Sequence, residues 1–307
     1  MGWCFNLLSA WFPSRIKTLK LANKPHGDYN IKKYIMKNSL VSFFSFFLLL
    51  ACRESPQRPS PNPIPQAANQ GEKVSFELVE YKKSVGNCKE KNRCAKVALT
   101  IPLVKEGNQR VKNSLNQIIL SAVSEALVFA PNEQVTSFAM LKTQADTFLA
   151  QWEKSAASDP EEMESGWVVN VKGKAKLQTD KVAVVTLEIY SYAGGAHPNS
   201  YVNIFNLDIH SGKQLKWPDI ARDVELLEKL AEKKFKESRG LSSKDNLGDN
   251  GYFHGLPFTL PENFELEKEG ILFWYNPYEA AAYEEGPIKF FISFKELENA
   301  VKKDQLF

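Results

Sequence analysis

The sequence predicts an α+β protein of two modules, each an antiparallel sheet with helices packed on one face. Segments of alternating apolar and polar residues come in groups instead of being interleaved one by one with helices, which disfavours a parallel doubly wound sheet. Apolar residues at helical spacing form blocks between those groups. One alternating segment breaks at Gly194-Gly195-Ala196-His197-Pro198 and then resumes as a strand, which places the join between the modules there, with residues 73–192 before it and 193–307 after it.

Composition sets the bounds. The 307 residues are 43% hydrophobic, 24% charged and 12% aromatic, enough for packed cores and unlike a disordered chain. The formal charge is +3, but residues 1–51 carry seven Lys/Arg and one Asp, and without them 32 basic residues face 35 acidic ones, a net of −3. No nucleic-acid partner is expected on that balance.

Met36-Lys37-Asn38-Ser39 precedes the apolar run Leu40–Leu50, which ends in Ala51-Cys52. A basic start, a short apolar stretch and a small residue before the cut predict a signal peptide over 36–51, and the run is short for a membrane span. Leu49-Leu50-Ala51-Cys52 resembles the lipobox of bacterial lipoproteins, which implies a lipid on Cys52 and a membrane contact through it. An ordinary secretory signal with an incidental cysteine is the alternative. Residues 1–35 resemble no targeting element and are expected to lie outside the true protein, with Met36 as its start. Residues 52–72 hold five prolines and few large apolar groups, so they read as an extended spacer. The expected location is the cell envelope, facing the periplasm or the cell exterior.

In the first module Val74–Tyr81 and Ala95–Leu103 alternate as strands. Cys88 and Cys94 lie between them, and in an oxidising compartment they are expected to pair and staple the hairpin. Their spacing is not that of a two-cysteine metal knuckle and no second pair exists, so no metal is expected. Val111, Leu115, Ile118, Ile119, Ala122, Ala126 and Leu127 mark a helix that Pro131 stops, and Phe138, Leu141, Ala145, Phe148, Leu149 and Trp152 mark another. Trp167–Leu177 and Val182–Tyr192 then form a meander through Gln178-Thr179-Asp180-Lys181.

The second module opens with the strand Tyr201–Ile209, and Gly212 suits a tight reversal into Gln214–Trp217. Val224, Leu227, Leu230, Ala231 and Phe235 predict a helix stopped by Gly240. Residues 241–256, polar and glycine-rich, read as a mobile loop. Phe264–Leu266, Ile271–Tyr275 and Ile288–Ile292 are strands, and Ser293-Phe294-Lys295-Glu296 has the spacing of a capping box for a short final helix.

Three landmarks in this order carry a resemblance: Gly194-Gly195-Ala196-His197, Asn206-Leu207-Asp208 with Ser211-Gly212-Lys213, and Tyr275–Gly286 with its Asn-Pro-Tyr-Glu start. The second module is similar to a domain of unknown function in the extracytoplasmic region of RsiV-type anti-sigma factors and PdaC-type peptidoglycan deacetylases, and residues 74–192 resemble its usual partner domain. RsiV-type proteins bind lysozyme with this region, whereas in PdaC-type enzymes a separate domain does the chemistry. The resemblance therefore implies an envelope-facing binding module, with peptidoglycan or a lysozyme-like protein as partner and no cofactor.

The candidate ligand-binding residues are Gly194, Gly195, His197, Tyr278, Glu279 and Tyr283. Paired glycines let a ligand approach the backbone, and tyrosines can line a groove. An enzymatic alternative makes His197 a general base in a peptidoglycan hydrolase, oriented by Glu279 or Asp208. Against it, the sequence has no nucleophile elbow, no zinc-protease helix and no phosphate loop. A structural reading, with the ring pinning the turn through a loop carbonyl, stands beside both, as does that of a purely structural envelope lipoprotein. His210 and His254, in loop segments, read as solvated.

Overall fold

The computed structural model describes residues 73–90, 93–127, 134–158, 166–297 and 299–306. The expectations for residues 1–35, the signal peptide, Cys52 and the spacer up to residue 72 lie outside the described residues. Among the described residues no helix is long and apolar enough to cross a membrane.

The first part runs β1 (Ser75–Gly86), β2 (Cys94–Glu106), α1 (Gln109–Glu125), α2 (Phe138–Ser158), β3 (Val168–Leu177), β4 (Val182–Tyr192), β5 (Asn199–Asp208) and β6 (Lys213–Leu215). Its strands form one six-stranded sheet in sequence order. Neighbours are antiparallel except β2 and β3, which run parallel because the two helices make the crossover between them. The odd-numbered residues of the central strands face the helices. Val97, Leu99, Val169, Val171, Val185 and Leu187 are at most 1% exposed and share a core with Leu115 and Ile119 of α1 and Leu141 and Leu149 of α2. Asn108 caps α1, its side-chain oxygen accepting from the backbone N–H groups of Arg110 and Val111.

Cys88 and Cys94 are paired as expected, with Cα atoms 5.0 Å apart, across the turn that closes the β1–β2 hairpin. Gly86 precedes them at φ +83°, and a Cβ there would meet the Trp152 ring at 2.5 Å, so the hairpin closes directly onto α2.

The second core belongs to α3 (Val224–Ser238) and a three-stranded antiparallel sheet of β7 (Asn263–Leu266), β8 (Gly270–Tyr275) and β9 (Ile288–Ser293). Asp223 caps α3 by accepting from the Leu226 N–H. Phe235, on the helix's inner face, is fully buried and sits within 5.1 to 6.1 Å, centroid to centroid, of Tyr252, Phe253, Phe258, Tyr275 and Phe290. Truncating a ring held this way typically costs ~3–5 kcal/mol. The expected capping box is present: the Ser293 N–H donates to Glu296 Oε2 at 3.0 Å and the Glu296 N–H to Ser293 Oγ at 3.2 Å.

Two expectations change. The module boundary at 193 falls in the β4–β5 turn, inside the six-stranded sheet, because β4 and β5 pair from Val182↔Asp208 to Ser191↔Asn199. The glycine pair there serves a hairpin. Residues 241–256 are not a loose loop: two 3-10 turns, Gly248–Asn250 and Phe253–Gly255, hold the segment down, with Leu247 6% and Phe253 4% exposed in the second core.

The small sheet is fastened to β5 by asparagines. Asn276 accepts from the Val202 N–H at 2.8 Å and donates to the Val202 carbonyl at 3.0 Å. Asn263 accepts from the Ile204 N–H at 2.8 Å. Asn206 reaches the other way, donating to the Phe264 carbonyl at 2.6 Å and accepting from the Leu266 N–H at 2.8 Å. Since β6 covers only Asn206–Asp208 of β5, Asn276 and Asn263 take up backbone groups of β5 that lack a strand partner there, and Asn206 does the same for backbone groups of β7.

Candidate functional site

The β4–β5 turn delivers His197 to the surface. Gly194 and Gly195 sit at φ +95° and +96°, and no heavy atom lies within 4 Å of where either Cβ would stand, so backbone conformation and not crowding calls for glycine. The Tyr192 hydroxyl donates to the Gly195 carbonyl at 2.9 Å and steadies the bend.

Across from the turn lies the β8–β9 connection. The His197 ring stacks on Tyr283 at 5.4 Å with 26° between planes and lies 6.2 Å from Tyr278, while the two tyrosines are 5.3 Å apart. The structure thus brings together three of the predicted residues from distant parts of the chain. All three are exposed, Tyr278 by 52% and Tyr283 by 37%.

Tyr278 is also backbone-strained. It has φ +72°, and the other non-glycine residues at positive φ among the described residues are Phe253 and His254, both at +53°. These strained segments brace each other. His254 Nε2–H donates to the Tyr278 carbonyl at 2.9 Å, and the Phe253 N–H donates to the Ala280 carbonyl at 2.8 Å. A bulky residue held there costs ~1–3 kcal/mol and is found preferentially where function requires the geometry. His254, expected to be merely solvated, is the brace.

The expected acid partners of His197 are engaged elsewhere. Glu279 turns back on its own loop, accepting from the Asn276 N–H at 2.9 Å and from Asn276 Nδ2 at 3.3 Å. Desolvation pushes its carboxyl above the usual carboxylate range, opposed by those Asn276 bonds. Asp208 caps the β5–β6 turn, accepting from the His210 N–H, the Ser211 N–H and the Ser211 hydroxyl. Desolvation pushes its carboxyl up, but the Ser211 and His210 bonds outweigh this and hold it below its ordinary value. His197 Nδ1 lies 3.1 Å from the Pro198 carbonyl, the loop contact of the structural reading, and its ring faces Tyr283. Glu279 therefore shapes the loop that carries Tyr278 and does not orient the histidine.

Sequence reasoning missed the other side of the turn. A cavity of about 190 Å³ is lined there by Glu125, Phe148, Tyr192, Gly194 and His197. Glu125 is the last residue of α1, and its charge, after burial, helps push the Tyr201 hydroxyl up. A lone carboxylate beside Ala126, in the apolar stripe of α1, was the one available signal.

Residues 88–200 match a family described as deacetylase PdaC, and residues 218–295 match a family described as a protein of unknown function, DUF3298. Among solved structures, a DUF3298 family member from Bacteroides fragilis is similar at TM-score 0.64 and 19% identity, covering 76% of this chain and 96% of that one. A DUF3298 family protein from Pseudomonas aeruginosa is similar at TM-score 0.54 and 20% identity, covering 76% and 97%. Comparison with curated proteins gave no match.

Proposed function

From a chain in which a PdaC-like domain precedes a DUF3298 domain, we propose a lipid-anchored cell-envelope protein whose task is binding, with a cell-wall glycan taken on the His197–Tyr278–Tyr283 face. The observation that carries the reading is the exposed trio of rings, held in mutual contact by a backbone strained at Tyr278 and braced by His254. Exposed rings fixed in advance lose little freedom on binding, and their faces suit the C–H surface of a pyranose. The match to the PdaC-like domain supports a place outside the cytoplasm, and the lipobox-like Leu49-Leu50-Ala51-Cys52 supports the anchor.

The test is co-sedimentation of the purified protein with insoluble peptidoglycan, beside a pull-down on immobilised lysozyme. The reading expects glycan retention that falls in His197→Ala and Tyr278→Ala while both variants melt like the wild type. Retention on lysozyme alone would make the ligand a protein. Release of soluble fragments from the glycan would make the protein a hydrolase, and no retention on either would leave a structural lipoprotein.

A further inference from the structure

Beside the aromatic trio, a groove of about 300 Å³ opens on the sheet face turned away from α1 and α2. The even-numbered residues of β3, β4 and β5 form its floor. Asn170, Tyr190 and Ser200 stand in one cross-strand row, and Lys172, Glu188 and Val202 in the next. Its walls are Trp274, Pro277 and Pro287.

The floor carries unused hydrogen-bonding groups. Among the described residues, the side chains of Asn170, Lys172, Glu188, Tyr190 and Ser200 take no hydrogen-bond or ion-pair partner, although Lys172 and Glu188 are cross-strand neighbours of opposite charge. Opposed charges on one face ordinarily find each other. These stand apart over a concave surface, with an amide and two hydroxyls in the row beside them. The Trp274 wall, by contrast, is fixed: Lys289 Nζ sits 3.7 Å from its ring centroid, and its indole N–H donates to Asn276 Oδ1 at 3.2 Å. Rigid apolar walls over a floor of free donors and acceptors suit a small ligand that is apolar on its faces and polar around its rim. A pyranose ring answers that description, and the volume accommodates a sugar unit.

The groove and the trio share their supporting segments. Pro277 directly precedes Tyr278, Pro287 follows the turn that carries Tyr283, and Tyr190 and Ser200 are the cross-strand pair just below the His197 turn. We infer that the Trp274–Tyr190 groove is a second sugar subsite, so that the protein binds an extended glycan strand across two sites and not a single sugar at one. This rests on the glycan reading of the trio.

Isothermal titration of the full chain with β-1,4-linked N-acetylglucosamine dimer, tetramer and hexamer tests it. Two-site engagement predicts an affinity rising by about tenfold or more from dimer to hexamer, a gain that Lys172→Ala, Glu188→Gln and Trp274→Ala each reduce. Lys172 and Glu188 are surface positions, so their variants keep the test independent of any folding defect in Trp274→Ala. Equal affinity for dimer and hexamer, or a hexamer affinity unchanged in all three variants but lost in His197→Ala, overturns the second subsite and leaves the trio standing. No binding of any oligomer overturns both.

Discussion

His254 Nε2 lies 2.9 Å from the carbonyl oxygen of Tyr278, so that one residue in the left-handed region holds another there. The brace explains how an exposed tyrosine keeps φ +72° with no glycine at hand. Replacing Tyr278 by glycine removes ~1–3 kcal/mol of strain against ~0.5–1 kcal/mol of added chain entropy. Tyr278→Gly is therefore expected to melt at or above the wild-type temperature while losing glycan affinity. A clear drop in Tm would show that the ring supports the fold.

Asn206 is 1% exposed and joins both strands of the docking contact. Asn206→Ala strips partners from a buried carbonyl and a buried N–H, each worth ~1–3 kcal/mol. Urea denaturation should show a loss of about 2–4 kcal/mol. Asn263→Ala, which frees a single N–H, should lose less.

The disulfide closes a loop with a sequence separation of 6. So short a loop restrains little of the unfolded chain, and reduction should cost at most ~2–3 kcal/mol. Thermal melts with reductant should show a lowered but cooperative transition, and mass spectrometry of protein from the envelope should find no free thiol at Cys88 or Cys94.

Glu296 is held at about 2, first by its hydrogen bond to the Lys234 ammonium at 2.7 Å and then by those from Ser293. Because this folded-state value lies below the unfolded one, the contribution is present above about 4.3 and is lost as pH falls towards about 2. Wild type and Glu296→Gln should therefore differ in Tm by a constant amount at neutral pH and converge through that window. The pair is exposed, so the difference should also shrink in high salt.

If Leu49-Leu50-Ala51-Cys52 is read by the lipidation machinery, Cys52→Ser should abolish incorporation of labelled fatty acid and release the protein from the membrane fraction.

The strands, the helices and the disulfide were legible because each rests on local pattern: alternation, helical stripes and two cysteines flanking a hairpin turn. The parallel β2–β3 pair was not, since register between distant strands leaves no mark in either one. Residues 241–256 read as loose because glycine and polar residues dominate, while two side chains, Leu247 and Phe253, decide the packing. At the site, His197 and the tyrosines stood out by residue type. Their partners did not: Glu279 looked chemical and is a loop cap, whereas His254 looked idle and holds the strained backbone.

The hairpin that carries His197 has a practical bearing on how the chain can be divided. One family match ends at residue 200, inside β5, and the other begins at 218, beyond β6. A fragment stopped at 192 would bare the hydrogen-bonding edge of β4 along its length, and one started at 193 would carry β5 with no strand beside it but β6. Bare edges recruit other chains, so both halves should aggregate on expression. The end of the first family match and the end of the six-stranded sheet do not coincide, and a soluble half-protein should not be sought by cutting within the β4–β5 hairpin.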